Sequence, residues 1–182
     1  AMGNMPLKQK EYDECEKMAK MLWNFTPAEI KEVISSSSSL REEKIYTGEF
    51  KAMLDLYSMA NKNIYDYKTT AQSTKARIIN DAFKFKYHIQ AYQYKHVAEL
   101  GGFEVNDFYF IFVSSEAPYD NFVFKCTEDF MKRGEEDWNI ALERFKQYHH
   151  LDYTTLDGAY TEVIDMDIPK WAVKDVELEW ED

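Results

Sequence analysis

Residues 107–114, Asp-Phe-Tyr-Phe-Ile-Phe-Val-Ser, are apolar at both odd and even positions, and a strand of that kind must be covered on both faces. It follows a helical periodicity running from Lys75 to Leu100 and stopping at Gly101-Gly102. That helix in turn follows short aromatic and aliphatic runs ending at Lys68. Strand, long helix and doubly buried strand form a crossover unit. The chain is therefore expected to be α/β, with the 107–114 strand at the sheet centre.

The remaining elements fit around this unit. From Lys8 to Trp23, Tyr12, Cys15, Met18, Ala19 and Leu22 repeat at helical spacing. Thr26-Pro27-Ala28-Glu29 reads as a Thr-capped start of a second helix ending near Ile34. Ser35 to Ser39 reads as a mobile, passive loop. Lys44–Tyr46, Glu49–Tyr57 and Asn63–Lys68 read as strands, the last two joined through Asn61-Lys62-Asn63. After 107–114, a turn at Glu116–Asp120 returns the chain as a strand over Asn121–Cys126. Thr127-Glu128-Asp129 then caps a helix with Phe130, Trp138, Leu142 and Phe145 on one stripe.

The organisation expected is one domain over 1–182: residues 1–7 a cloning remnant or disordered lead, 8–34 N-terminal helices, 44–150 the core, and 173–182 an acidic tail. Ala1-Met2-Gly3 raises the expectation of a fragment. A net charge of −11 argues against a general nucleic-acid coat, but Lys68–Glu99 carries six basic residues against two acids, leaving −15 for the rest. Cys15 and Cys126 lack metal-type spacing and read as reduced core residues. No apolar run approaches a membrane span and no signal-peptide pattern opens the chain, so a cytoplasmic protein with no membrane partner is expected. Walker-type, Gly-x-Gly-x-x-Gly, Gly-x-Ser-x-Gly and zinc patterns are missing.

The chemistry concentrates around Ile64-Tyr65-Asp66-Tyr67-Lys68-Thr69-Thr70. Alternation puts Asp66 and Lys68 on one face of a strand. If the run around Asp55 pairs with that strand, Asp55 comes near Asp66, and two carboxylates with one lysine suit a hard divalent cation and a water activated beside it. Gln90 and Tyr94, four apart on the following helix, share a face and supply neutral donors. Lys84, Lys86 and His88 alternate with Phe83, Phe85 and Tyr87, which reads as a solvated face over core aromatics or as a stacking contact for nucleic acid. His149-His150 reads as helix-end surface.

Taken in order, Asp55, Asp66-Tyr67-Lys68-Thr69-Thr70, Gln90-x-x-x-Tyr94 and Ile168-Pro169-Lys170-Trp171-Ala172 resemble the PD-(D/E)xK nuclease superfamily. Within it the chain is most similar to the exodeoxyribonuclease VIII-like exonucleases of phages and prophages, over about Tyr12 to Ala172. The resemblance implies a restriction-endonuclease-like mixed β-sheet flanked by helices, with N-terminal helices. It also implies Mg²⁺- or Mn²⁺-dependent digestion of linear duplex DNA from an end, feeding recombination in a bacterial or phage-infected host. Asp55, Asp66 and the Tyr67 main-chain carbonyl would be metal ligands, Lys68 the catalytic lysine, and Gln90 and Tyr94 supporting groups. A DNA-threaded homo-oligomeric ring and a single-strand annealing partner are further implications.

The chain departs from the family in two places. Relatives usually supply a His or acid from a helix before the strands, whereas His88, His96, His149 and His150 all follow Lys68; Glu11, Glu14 or a residue upstream of the chain are the candidates. Met53-Leu54 also stands before Asp55 where relatives often show Arg-Pro. Two other readings stay open: a non-catalytic DNA-binding or assembly module that keeps the nuclease fold, and a scaffold whose acids lie apart.

Overall fold

The computed structural model describes residues 8–150. Two compact units, Ala1–Arg144 and Phe145–Asp182, divide the chain, and the architecture below concerns the first. The elements run α1 (Gln9–Phe25), α2 (Ala28–Ser35), β1 (Ser39–Thr47), β2 (Phe50–Ser58), β3 (Asn63–Thr70), α3 (Lys75–Lys84), α4 (Tyr87–Leu100), β4 (Phe108–Ser114), β5 (Asn121–Lys125) and α5 (Glu128–Tyr148). The strands form one sheet in the order β1-β2-β3-β4-β5. Only β3 and β4 are parallel, as the crossover through α3 and α4 requires.

Alternation along β3 and β4 divides the core between the two faces. Ile64, Phe108, Phe110 and Phe112 face Ile78 and Ala82 of α3 and Ala91, Val97 and Ala98 of α4. Tyr65 and Ile111 face Ile30 and Val33 of α2, with Leu22 of α1 against them. β4 is buried on both faces as expected, but β3 is the middle strand. Burial on both parities needs two covering layers and two neighbours, not a central place.

The continuous helix expected over 75–100 is two helices. A single helix turning Ile78 and Ala82 inward would also turn Phe85 and Ile89 inward; instead Phe85 is exposed while Tyr87 and Ala91 meet the sheet. The change of phase is made at Lys86, which is left-handed at φ 62°. Such a conformation costs a β-carbon-bearing residue roughly 1 kcal/mol.

Four local expectations are corrected. Thr26, buried, closes α1 by donating its hydroxyl to the Leu22 carbonyl at 2.6 Å, so it does not cap α2, whose N-cap is Pro27. The serine run is not passive: Ser39 is buried and donates to the Val33 carbonyl at 2.8 Å, while the Arg41 guanidinium donates to the carbonyls of Ile34 and Ser36. These bonds satisfy the carbonyls that the end of a helix leaves unpaired. α1 lies on the sheet with no residue fully buried, and Tyr12, Cys15 and Ala19 are exposed. Cys15 is thus no core residue, and Cys126 follows β5 instead of lying in it. Among the described residues no helix is long and apolar enough to cross a membrane. Ile168–Ala172 and the acidic tail lie outside the described residues.

Candidate active site

The site begins where β2 and β3 part. Their ladder runs Ser58↔Asn63, Tyr57↔Ile64, Leu56↔Tyr65 and ends there. One position further, the Asp55 carboxylate replaces the missing backbone acceptor and takes the Tyr67 N–H at 2.8 Å. A distortion in β2 turns Asp55 to this task. Leu54 and Tyr57 both belong to the layer under α4 although they are three apart, which a regular strand forbids. The break in alternation lies at Asp55, and the residue facing it across the β1–β2 ladder is Glu42, at φ 51°.

Asp66 is 2% exposed and carries two side-chain bonds. The Lys68 ammonium pairs with its Oδ2, and Gln90 Nε2 donates to its Oδ1 at 2.9 Å. Burial pushes its carboxyl up to about 6; Lys68 and Gln90 oppose the shift and the charge of Asp55 adds to it. Tyr94 lies beside the Gln90 amide, within the field of both carboxylates, and burial holds its phenol above the usual range. The structure therefore brings Asp55, Asp66, Tyr67, Lys68, Gln90 and Tyr94 into one place.

Two residues complete the surroundings that the sequence did not mark as belonging to the site. Lys68 Nζ lies 5.3 Å from the centre of the Tyr87 ring and 5.7 Å from that of Phe110, so its charge sits against aromatic faces. Tyr87 had a signal: with Gln90 and Tyr94 it makes an i, i+3, i+7 stripe on one helix face. Cys126 is the other neighbour, its thiol pushed up to about 12 by burial and then by the charge of Asp66, which leaves it inert.

The donor set fits a hard cation. A strand residue's N–H and C=O face the same edge, so the Tyr67 carbonyl opens on the gap that its N–H shares with Asp55. Two carboxylates and a carbonyl, with the remaining positions left to water and phosphate, suit Mg²⁺ or Mn²⁺. Among the described residues no group of three or more His, Cys, Asp and Glu forms a metal cluster. Glu11 accepts the Lys8 N–H and Glu14 pairs with Lys10 on the surface of α1, so neither joins the two aspartates. Millimolar Mn²⁺ is expected to raise the melting temperature of the wild type, by the equivalent of about 2.7 kcal/mol at a hundred times its Kd. Asp55→Ala should remove that shift in differential scanning fluorimetry; an undiminished shift would place the cation elsewhere.

A search of curated proteins finds no match. Among solved structures, a candidate exonuclease from Eubacterium rectale superposes with a TM-score of 0.64 at 15% identity, covering 90% of this chain and 67% of that one. A phage-related exonuclease from Haemophilus somnus 129PT gives 0.45 at 12% identity, covering 80% and 74%. The first of these likenesses shows the fold, a mixed sheet flanked by helices. The family model that matches, over residues 2–157, is described as a PDDEXK-like domain. The chain belongs to this family, the PDDEXK-like domain of unknown function DUF3799.

Proposed function

We propose that the protein is a metal-dependent deoxyribonuclease of the exodeoxyribonuclease VIII-like kind, hydrolysing linear double-stranded DNA from its ends in phage-type recombination. The observation that carries the reading is Asp66, buried and shared by Lys68 and Gln90, beside Asp55 at the parting of two strands on a nuclease fold. Asp55, Asp66 and the Tyr67 carbonyl would hold the cation. When bound, Mg²⁺ or Mn²⁺ supplies Lewis acidity to the scissile phosphate and lowers the pKa of a nearby water.

Lys68 Nζ brings a fixed positive charge and three donors to the same point. It orients the attacking water and offsets negative charge growing on the phosphate oxygens. The water oxygen bonds to phosphorus, the bridging P–O bond breaks, and the leaving oxygen takes a proton. Gln90 holds the Asp66 carboxylate in orientation, and Tyr94 backs the Gln90 amide. Ring assembly around DNA and a single-strand annealing partner belong to this same proposal.

The full chain with Mg²⁺ is expected to digest linear duplex, to spare closed circles and to stop on addition of EDTA. Lys68→Ala should lower the rate by about a thousandfold. Equal rates for the two proteins, or no hydrolysis of any DNA by the wild type, would defeat the proposal. The second reading, a catalytically impaired DNA-binding or assembly module, is favoured by one observation: among the described residues no third acid joins the aspartates. DNA binding without hydrolysis, at every Mg²⁺ and Mn²⁺ concentration tried, would select it.

A further inference from the structure

The junction of α3 and α4 exposes residues that the fold would ordinarily cover. Phe83 is 43% and Phe85 57% exposed, with Ile79 exposed beside them. All four residues from Phe83 to Lys86 face solvent. The rings are matched with cations: Lys84 Nζ lies 5.7 Å from the Phe85 ring centre, and Lys86 Nζ and Arg133 Cζ lie 5.9 and 6.0 Å from that of Phe83. Arg133 is fixed by Asp137 and Lys86 lies 3.9 Å from the same carboxylate, whereas Lys84 forms no ion pair among the described residues. The only acid on α3, Asp81, accepts from Gln72.

This patch adjoins the site. The Phe85 ring lies 6.1 Å from Tyr87, whose own ring lies 5.3 Å from Lys68 Nζ. It lies within Lys68–Glu99, a stretch that carries +4 in a chain whose total is −11.

We infer that the α3–α4 junction is a platform for unpaired nucleotides, with Phe85 as the stacking surface and Lys84 and Lys86 as phosphate contacts. Exposed aromatic faces beside mobile cations recognise single-stranded nucleic acid, because every unpaired base offers a π-face and every linkage a charge. A duplex covers those faces and gives Phe85 nothing to stack on. The platform rests on the nuclease reading and extends it: one strand of the substrate leaves the duplex beside Lys68 and lies along this junction.

The test is fluorescence anisotropy with labelled oligothymidylate and a labelled blunt duplex, in EDTA so that nothing is cleaved. Phe85→Ala is expected to weaken oligothymidylate binding about tenfold and duplex binding less than twofold, with Phe85→Trp restoring it. Lys84→Gln should reduce the salt dependence of strand binding by about 0.7 of a log unit per log unit. Lys86→Asn, which tolerates the left-handed backbone, should do likewise. Equal oligothymidylate binding by wild type and Phe85→Ala, or equal losses for strand and duplex, overturns the proposal. So does a lower oligomer mass for Phe85→Ala by light scattering with strand binding intact, which would make the patch an interface between copies. Hydrolysis of linear duplex by the wild type is measured separately: its absence defeats the nuclease reading, while the binding pattern alone decides the platform.

Discussion

Asp66→Asn is expected to abolish hydrolysis, by about a thousandfold or more, and yet to raise the melting temperature of the metal-free protein by several degrees at pH 8. Burial lifts the Asp66 carboxyl from its ordinary 3.8 to about 6, against the opposing effect of Lys68 and Gln90. The folded state therefore binds this proton more tightly than the unfolded state. The stability linked to it is complete below about pH 4 and is lost as pH rises through about 6. Two pK units correspond to about 3 kcal/mol, an upper figure for what the neutral amide recovers. At pH 5 the difference between variant and wild type should fall to about half, and saturating Mg²⁺ should reverse it at pH 8. Scanning fluorimetry in EDTA at the two pH values reads the first effect. A metal-free Asp66→Asn protein that melts below wild type at pH 8 would mean that the Lys68 pair stabilises the fold outright.

Gly134→Ala should lower stability by about 3 kcal/mol, roughly 10 °C, although alanine is the better helix former by about 1 kcal/mol. The reason is a close crossing of α5 over α4. A β-carbon at residue 134 would stand 2.1 Å from the His88 carbonyl oxygen and 2.8 Å from its carbon, and backbone cannot turn aside as a side chain can. Separating the helices also strains the bond between His88, fully buried, and Asp137 at 2.9 Å. Because α4 carries Gln90, the rate of hydrolysis should fall along with stability. Lys132→Ala, on the exposed face two residues earlier, serves as the control and should change the melting temperature little. A Gly134→Ala protein as stable as that control would show that the crossing is looser than described.

How far the site was legible depended on whether a residue's position followed from periodicity. Asp66 and Lys68 share a face because strands alternate, and Gln90 and Tyr94 share one because helices repeat near four. Asp55 needed more: its approach depends on a left-handed Glu42 across the ladder and on a break in β2 alternation, for which neither residue type gives a local sign. Lys86 hid the division between α3 and α4 in the same way, since lysine is an unremarkable helix former and rarely left-handed. Gly134 passed unread within the helical stripe of Phe130, Trp138, Leu142 and Phe145, because its small size matters only where α5 crosses α4.

The bond from Tyr67 N–H to the Asp55 carboxylate bears on how this family would change if its chemistry were abandoned. Loss of the side chain would strand a main-chain donor between two separating strands, at a cost of about 1–3 kcal/mol. Selection for folding alone would thus retain Asp or a similar acceptor at position 55, while releasing Lys68 and Gln90. In a set of relatives, an aspartate there identifies the architecture, and the lysine two residues beyond Asp66 is the better mark of a working enzyme.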